Sequence, residues 1–161
     1  MKNIRKLLFI CTGNICRSPL AEGYFRYLTE NLKVPPVEAD SAGIAALQGA
    51  PPSLEAITVA EENGFDISAL KSRQFRRTDL AEYDLILVMT QDQKDWIKHR
   101  FTGDITNVKL LREFSEDSDI LHRDIPDPVG MSISSYRAIF FLIKKSVDGL
   151  IKNIADERTV R

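Results

Sequence analysis

Residues 7–19, LLFICTGNICRSP, decide the fold of this chain. The stretch begins with an apolar run, residues 7–10, of the kind found in a strand buried on both faces at the centre of a parallel sheet. Pro19 then opens an amphipathic segment, for which Ser18 is a suitable N-cap. A buried strand that leads through a tight loop into a helix N-terminus favours the binding of an anion. We therefore predict an anion-binding loop between the first strand and the first helix.

The rest of the 161-residue chain alternates between predicted strands and predicted helices. The segments predicted as strands are residues 6–10, 37–41, 83–89 and 108–111. Those predicted as helices are residues 19–33, 53–63 and 92–101, a short one from Thr78, and a long one after Ser132 with apolar residues at helical spacing from Ile133 to Ile154. In the second helix the residues expected to face the core are Leu54, Ile57, Val59 and Ala60.

This alternation predicts a single α/β domain over residues 1–161. Its expected architecture is a three-layer open sheet of about four parallel strands with helices on both faces. In such sheets ligands bind at the carboxyl ends of the strands, beside a topological switch point. The loop after the first strand lies at that edge.

The composition excludes several classes of function. The 22 basic and 23 acidic residues nearly balance, so the charge gives no reason to expect binding to nucleic acid or to an anionic membrane. The longest strongly apolar run, residues 139–143, is too short for membrane insertion across a bilayer. The two cysteines and two histidines are not spaced as metal ligands, and two cysteines in one loop form no disulfide framework. A cytoplasmic enzyme or binding domain without a bound metal fits these properties.

The loop after the first strand carries the residue types that a phosphate-binding site needs. Gly13 permits a backbone turn that few other residues tolerate, and Asn14 is able to bond across the loop. Arg17 presents a planar guanidinium group that matches two phosphate oxygens. Backbone N–H groups and the dipole of the following helix would complete the site. The predicted phosphate-binding residues are Thr12, Gly13, Asn14, Ile15, Cys16, Arg17 and Ser18.

Cys11 is the predicted nucleophile of the loop. The helix N-terminus and Arg17 favour its thiolate form, which attacks phosphorus in line and forms a phosphocysteine. Ser18 is placed to donate a hydrogen bond to the sulfur, which holds the thiolate and makes it a better leaving group in the second step. Cys16 is close enough in sequence to trap an oxidised Cys11 as a reversible disulfide. We therefore predict that Cys16 is its redox partner.

Phosphoryl transfer also needs an acid to protonate the departing oxygen. We assign this role to Asp127, because the flanking Pro126 and Pro128 stiffen a loop that can reach over the site. The same carboxyl group would then activate water against the phosphocysteine. The competing candidates are Asp124 and, on residue type alone, His99 and His122.

These motifs resemble those of the low-molecular-weight protein tyrosine phosphatases over nearly the whole chain. Residues 11–19 are similar to the phosphate loop of that family, and Asp127-Pro128 to its general-acid motif. Asp40-Ser41-Ala42-Gly43 also matches, and the resemblance implies that Ser41, with Asn14 and Ser18, supports the loop by hydrogen bonding. It further implies a flavodoxin-like phosphatase fold, a two-step phosphocysteine mechanism on a phosphorylated protein substrate, and neither a metal nor an organic cofactor.

Three positions depart from the family pattern. Where family members often carry aromatic residues that wall the aryl ring of phosphotyrosine, this chain has Leu47 and Val129. A histidine that commonly braces the phosphate loop is replaced by Leu70. The resemblance thus implies that the chemistry is retained while the substrate walls differ from those usual for phosphotyrosine.

The sequence leaves alternatives to the hydrolysis of phosphotyrosine. A subgroup of the same fold hydrolyses phosphoarginine and tends to have threonine at the position of Ile15, so the isoleucine favours the tyrosine-type substrate. Thioredoxin-coupled arsenate reductases use the same loop with two further cysteines, which this chain lacks. A sensor or adaptor that only binds phosphate would need neither Cys11 nor Asp127. We expect a monomer or a weak dimer.

Overall fold

A computed structural model describes residues 3–32, 36–117 and 123–159. The elements alternate along the chain as β1 (Lys6–Cys11), α1 (Arg17–Asn31), β2 (Glu38–Gly43), α2 (Leu54–Glu62), α3 (Asp79–Glu82), β3 (Leu85–Val88), α4 (Gln91–Arg100), β4 (Val108–Leu110) and α5 (Ile133–Thr159). A short 3-10 helix, Leu111–Phe114, follows β4. The predicted strands and helices are all present, with ends that differ by a few residues. None of these helices is both long enough and apolar enough to cross a membrane.

The four strands form one parallel sheet in the order β2-β1-β3-β4. The chain leaves β1 towards one side to form β2, and it later crosses to the other side to form β3 and β4. The strand order therefore reverses beside the carboxyl end of β1, where Cys11 pairs in register with Gly43. Ligands of open α/β sheets bind at such a switch point. The prediction of a parallel sheet is confirmed, and the loop after β1 lies at this edge.

Helices cover both faces of the sheet, so the side chains of β1 alternate between two apolar cores. Leu7 and Phe9 lie in the core shared with α1, α2 and α5, whereas Leu8 and Ile10 lie in the core shared with α3 and α4. The continuous apolar run of β1 follows from this burial on both faces. The stripe of α5 predicted from helical spacing packs in the first core, through Tyr136, Phe140, Ile143, Val147, Leu150 and Ile154. The three-layer arrangement is thus confirmed.

Two details of the predicted helices are wrong. α1 begins at Arg17, so Ser18 lies in its first turn instead of capping it. Leu54 is exposed rather than facing the core. A residue two positions before Ala56 points to the opposite side of a helix, and the buried face of α2 is formed by Ala56, Val59 and Ala60.

Candidate active site

The phosphate loop, residues 12–16, runs from the end of β1 to the start of α1 at the carboxyl edge of the sheet. Its carbonyl groups accept hydrogen bonds from neighbouring segments: Ala45 N–H donates to Thr12 O at 2.9 Å, and Ser53 N–H donates to Ile15 O at 2.8 Å. Within the described part of the chain, the backbone N–H groups of residues 13–16 form no hydrogen bond. These donors, beside the N-terminus of α1, are available to an anion.

Asn14 holds the loop in shape from inside. It is buried, its Nδ2 donates to Ser18 Oγ at 2.8 Å and to Ser41 Oγ at 2.9 Å, and its Oδ1 accepts from the Arg73 N–H at 3.0 Å. Its φ of 57° makes Asn14 the left-handed residue of the loop, a conformation that asparagine tolerates better than most residues. The prediction that Gly13 provides the backbone turn that few other residues tolerate is therefore wrong, because Asn14 takes the positive φ instead.

The Cys11 thiol is buried at the end of β1. Its Sγ lies 2.9 Å from Ser18 Oγ. Because Ser18 Oγ accepts a hydrogen bond from Asn14, the hydroxyl proton of Ser18 is free to point at the sulfur. The structure thus places Ser18 as the donor that a Cys11 thiolate would need.

The guanidinium group of Arg17 is buried, and its two terminal nitrogens contact neighbouring residues. Its Nη1 donates to Ile125 O at 2.8 Å and its Nη2 to Thr12 Oγ1 at 3.4 Å. Its Nη2 also forms an ion pair with Asp127 Oδ2 at 3.5 Å. Its Nε is buried and has no hydrogen-bond partner among the described residues. Since an unpaired buried donor is costly, the geometry suits an acceptor oxygen of a ligand at this atom.

Asp127 reaches the site from the loop that precedes α5. Its side chain is 45% exposed and pairs with the buried Arg17. Its Oδ1 accepts from the Val129 N–H at 3.1 Å, which orients the carboxyl group within the loop. The structure therefore brings the predicted acid to the same sheet edge as Cys11.

The competing acids are placed differently. Asp124 Oδ1 accepts from the Gln91 N–H at 2.8 Å. This carboxylate is therefore bonded to the backbone of the first residue of α4. His99 lies exposed on α4, with its Nδ1 2.7 Å from Asp95 O. His122 lies outside the described residues. Of the described candidates, Asp127 is the one that contacts the loop arginine.

Comparisons with known proteins agree with this geometry. The sequence matches the family Low molecular weight phosphotyrosine protein phosphatase over residues 6–160. The chain belongs to this family.

Individual relatives of the phosphatase align over almost their full length. A protein-arginine-phosphatase of Geobacillus stearothermophilus is 35% identical, and the alignment covers 95% of this chain and 98% of the relative. A probable low molecular weight protein-tyrosine-phosphatase of Ralstonia nicotianae is 33% identical over 94% of this chain and 97% of the relative. The crystal structure of a low molecular weight protein tyrosine phosphatase from T. tengcongensis superposes with a TM-score of 0.84 at 35% identity, over 92% of this chain and 99% of that one. The chain is a cysteine-based phosphatase with the flavodoxin-like fold predicted from its sequence.

The second cysteine of the phosphatase, Cys16, lies in a pocket of hydroxyl groups behind the loop. Its Sγ is 3.4 Å from Tyr136 Oη and 3.5 Å from Ser53 Oγ. Burial raises the pKa of the Cys16 thiol, although the hydrogen bonds of Ser53 and Tyr136 act in the opposite direction. Burial, followed by the contact with Cys16, also raises the pKa of Tyr136 to about 12. Both groups are therefore protonated at neutral pH.

The predicted walls of the substrate site are exposed aliphatic side chains. Leu47, on the loop after β2, is 79% exposed. Val129 is 56% exposed and lies on the acid loop, by which we mean the segment before α5 that carries Asp127. Leu70, where the family resemblance places a bracing histidine, packs against the core shared with α1, α2 and α5. The brace on Asn14 comes instead from the backbone N–H of Arg73.

Sequence reasoning missed the residues that hold the Leu47 loop. The buried Ser72 hydroxyl accepts from the Ala50 N–H at 2.9 Å and donates to Leu47 O. Gln74 Nε2 donates to Ile44 O at 2.7 Å. Ser72 and Gln74 lie in a stretch without periodicity, so no signal in the sequence marked them.

Gln93 was missed as well. Its Oε1 accepts from the N–H groups of Met89 and Thr90 at 2.8 and 3.1 Å, and its Nε2 donates to Thr12 Oγ1 at 3.3 Å. Thr90 and Gln93 have the spacing of a capping box. That pattern predicts a helix start, but the contact with the phosphate loop follows only from the neighbouring positions of β1 and β3.

Proposed function

We propose that the phosphatase hydrolyses phosphotyrosine in protein substrates through a phosphocysteine intermediate. One observation carries the proposal: the buried Cys11 Sγ lies 2.9 Å from the Ser18 hydroxyl, in the loop whose arginine pairs with the carboxylate of Asp127. Nucleophile, anion clamp and acid are thus combined at one edge of the sheet. The names of tyrosine-phosphatase relatives, such as that of Ralstonia nicotianae, support the choice of substrate.

In the first step, the Cys11 thiolate attacks phosphorus, so that an S–P bond forms while the bond from phosphorus to the tyrosine oxygen breaks. Asp127 donates its proton to that oxygen, and the tyrosine leaves as a neutral phenol. Arg17 and the backbone N–H groups of the loop stabilise the charge on the remaining phosphoryl oxygens.

In the second step, the Asp127 carboxylate accepts a proton from water as the water oxygen attacks phosphorus. The S–P bond breaks, inorganic phosphate forms, and Cys11 returns as a thiolate. The Ser18 hydroxyl, held by Asn14, stabilises the departing sulfur. Asp127 ends the cycle protonated and ready for the next substrate.

Hydrolysis of phosphoarginine is the second candidate. A relative at 35% identity is named a protein-arginine-phosphatase, and the walls formed by Leu47 and Val129 offer no aromatic face for a tyrosine ring to stack on. Ile15 favours the tyrosine-type substrate, because the arginine-type subgroup tends to have threonine there. Only direct comparison of the two substrates separates these candidates.

We also propose the setting in which the phosphatase works. It is a single phosphatase domain over residues 1–161, a cytoplasmic monomer or weak dimer that needs no cofactor. A thiolate nucleophile is active only when reduced, which suits the reducing cytoplasm. Cys16 would protect an oxidised Cys11 by forming a reversible disulfide with it.

The experiment compares wild type, Cys11→Ser and Asp127→Ala on p-nitrophenyl phosphate, a phosphotyrosine peptide and a phosphoarginine peptide. Cys11→Ser should abolish turnover and still bind vanadate. Asp127→Ala should slow the aryl phosphates by about 10²–10⁴-fold, whereas the matched control Asp124→Ala should have a far smaller effect. Turnover by Cys11→Ser would overturn the mechanism. Turnover of phosphoarginine alone would overturn the substrate and leave the mechanism in place.

A further inference from the structure

Most of the exposed large apolar side chains in the described residues lie on segments that contact the phosphate loop or carry Asp127. The exposed large hydrophobic residues in the described part of the chain are Leu32, Leu47, Leu54, Val129, Met131 and Phe141. We define the apolar rim as Leu47, Leu54, Val129 and Met131. Exposed aliphatic residues that cluster in this way commonly mark an interaction surface, whereas single ones need no explanation.

The apolar rim is tied to the catalytic residues through the backbone. Leu47 lies two positions after Ala45, whose N–H donates to Thr12 O at 2.9 Å. Leu54 directly follows Ser53, whose N–H donates to Ile15 O at 2.8 Å. These bonds hold the Leu47 loop and the start of α2 against the two ends of the phosphate loop.

The acid loop carries the other half of the apolar rim. Asp127 pairs with Arg17 at 3.5 Å, and Val129 lies two positions further along. The Met131 N–H donates to Pro128 O at 2.9 Å, so the chain turns there and keeps Met131 next to the acid loop. The segments that contact the phosphate loop or its arginine thus carry four exposed aliphatic side chains.

We propose that the apolar rim binds apolar residues that flank the phosphorylated residue of a protein substrate, with Leu54 and Met131 providing contacts beyond the phosphorylated residue itself. This proposal rests on the proposed function. A phosphorylated side chain can reach the buried Cys11 only if the substrate chain on either side of it passes over the surrounding segments. The aliphatic side chains on those segments are 54–79% exposed. Their burial against apolar substrate residues lowers the free energy of binding, whereas contact with charged residues does not.

A second copy of the phosphatase is a less suitable occupant. A standard stable protein interface involves roughly 20–30 residues on each side, and the apolar rim consists of four side chains. A short substrate segment that already binds through its phosphate needs only a few extra apolar contacts. The size of the rim therefore fits substrate selection better than dimer formation.

The test uses two phosphopeptides that differ only in the residues flanking the phosphorylated one, leucine in one peptide and aspartate in the other. Wild type should prefer the leucine peptide by about tenfold or more in kcat/KM, as expected for burial of one or two aliphatic side chains. The double variant Leu54→Ser/Met131→Ser should reduce this preference to about twofold or less. The control Leu32→Ser/Phe141→Ser removes two other exposed apolar side chains, one just after the C-terminal end of α1 and one within α5, and should keep the wild-type preference.

The peptide assay would overturn the proposal through no preference in wild type, an unchanged preference in the rim variant, or an equal loss in the control variant. A concentration-dependent dimer that the rim variant alone abolishes, measured by sedimentation, would also overturn it in favour of a second copy. Turnover of p-nitrophenyl phosphate by wild type tests the proposed function separately. If that turnover is absent, the proposed function fails whatever the peptides show.

Discussion

The phosphate loop and the apolar rim lie side by side, and they are stabilised in different ways. Asn14, Ser18 and Arg17 are almost fully buried and joined by hydrogen bonds to several segments. The side chains of Leu47 and Leu54 are mostly exposed, and the hydrogen bonds that hold these residues are to their backbone carbonyl groups, from Ser72 and Thr58. Replacing a loop residue leaves buried polar partners unsatisfied, which is costly. Replacing a rim side chain leaves the fold nearly unchanged.

This difference separates the chemistry of the phosphatase from its choice of substrate. The loop network has few alternatives because the side chains of Asn14, Ser18 and Arg17 each bond to more than one partner. The rim can vary with little effect on stability. We therefore expect that the mechanism is strongly specified by this sequence, while the substrate depends on a few exposed side chains.

Among the substitutions that test this comparison between loop and rim, the largest expected effect comes from changing the arginine of the loop. Arg17→Lys should lower kcat for p-nitrophenyl phosphate by about 10²–10³-fold, because a single ammonium group cannot replace the planar donors that hold Ile125 O and Thr12 while contacting phosphate. Steady-state kinetics measures the loss. Arg137→Lys is the matched control, because Arg137 is an exposed arginine that pairs with Glu62. A kcat close to wild type in Arg17→Lys would show that the loop is not as strictly specified as we infer.

A smaller effect is expected where the two regions are joined. Ser72→Ala removes the hydroxyl that bonds to Ala50 N–H and Leu47 O and so loosens the loop that carries a rim residue. The KM for a phosphopeptide should rise about three- to tenfold, with a smaller change in kcat. Ser72→Thr keeps the hydroxyl and should restore most of the affinity. The exposed Ser68→Ala serves as control.

If Ser72→Ala instead lowers kcat and leaves KM unchanged, Ser72 supports the chemistry through Arg73 and Asn14, and the separation between loop and rim is wrong. Rescue by threonine would then have to appear in kcat. The split between the two kinetic constants thus decides which region Ser72 belongs to.

The sequence allowed much of the fold to be predicted. β1 was readable because a strand buried on both faces is continuously apolar, and α5 because its core stripe repeats over many turns. Leu54 was misplaced because α2 spans only Leu54–Glu62, and so short a helix gives its buried face only a few residues. The sheet order places the end of β1 at the switch point, so the position of the site followed from the fold.

The supports of the site were less predictable because they depend on contacts distant in sequence. Gln93 reaches Thr12 across 81 positions, and the Arg73 amide reaches Asn14 across 59. The left-handed conformation of Asn14 is likewise a property of the folded loop, since both Gly13 and Asn14 are residue types that permit it. Residue type identified Cys11, Arg17 and Asp127 as candidates, but it did not reveal what holds them.

The smallest expected effect is on the pH dependence of stability, and it compares the buried carboxyl group of Glu22 with the exposed one of Glu62. Glu22, on α1, is 4% exposed, its Oε2 lies 3.4 Å from Arg26 Nη2, and burial raises the pKa of its carboxyl group from 4.5, opposed mainly by Arg26 and Ser41. Asp40 raises this pKa further and Arg73 lowers it. The folded protein therefore binds this proton more tightly than the unfolded chain does. The stability that results is complete below pH 4.5 and is lost as the pH rises through the raised pKa.

Glu22→Gln removes this titration, so the variant should gain stability relative to wild type as the pH rises from 4.5 to neutrality. Urea denaturation at several pH values measures the difference, which should stay near the 1 kcal/mol typical of single substitutions (about 0.5–3 kcal/mol). Glu62→Gln should behave in the opposite way, because a hydrogen bond from Arg137 lowers the pKa of the exposed Glu62, and wild type gains from it as the pH rises. If the free energies of unfolding of the two variants, relative to wild type, changed equally with pH, Glu22 would be as well solvated as the exposed Glu62. The contrast between buried loop and exposed rim would then not extend to Glu22.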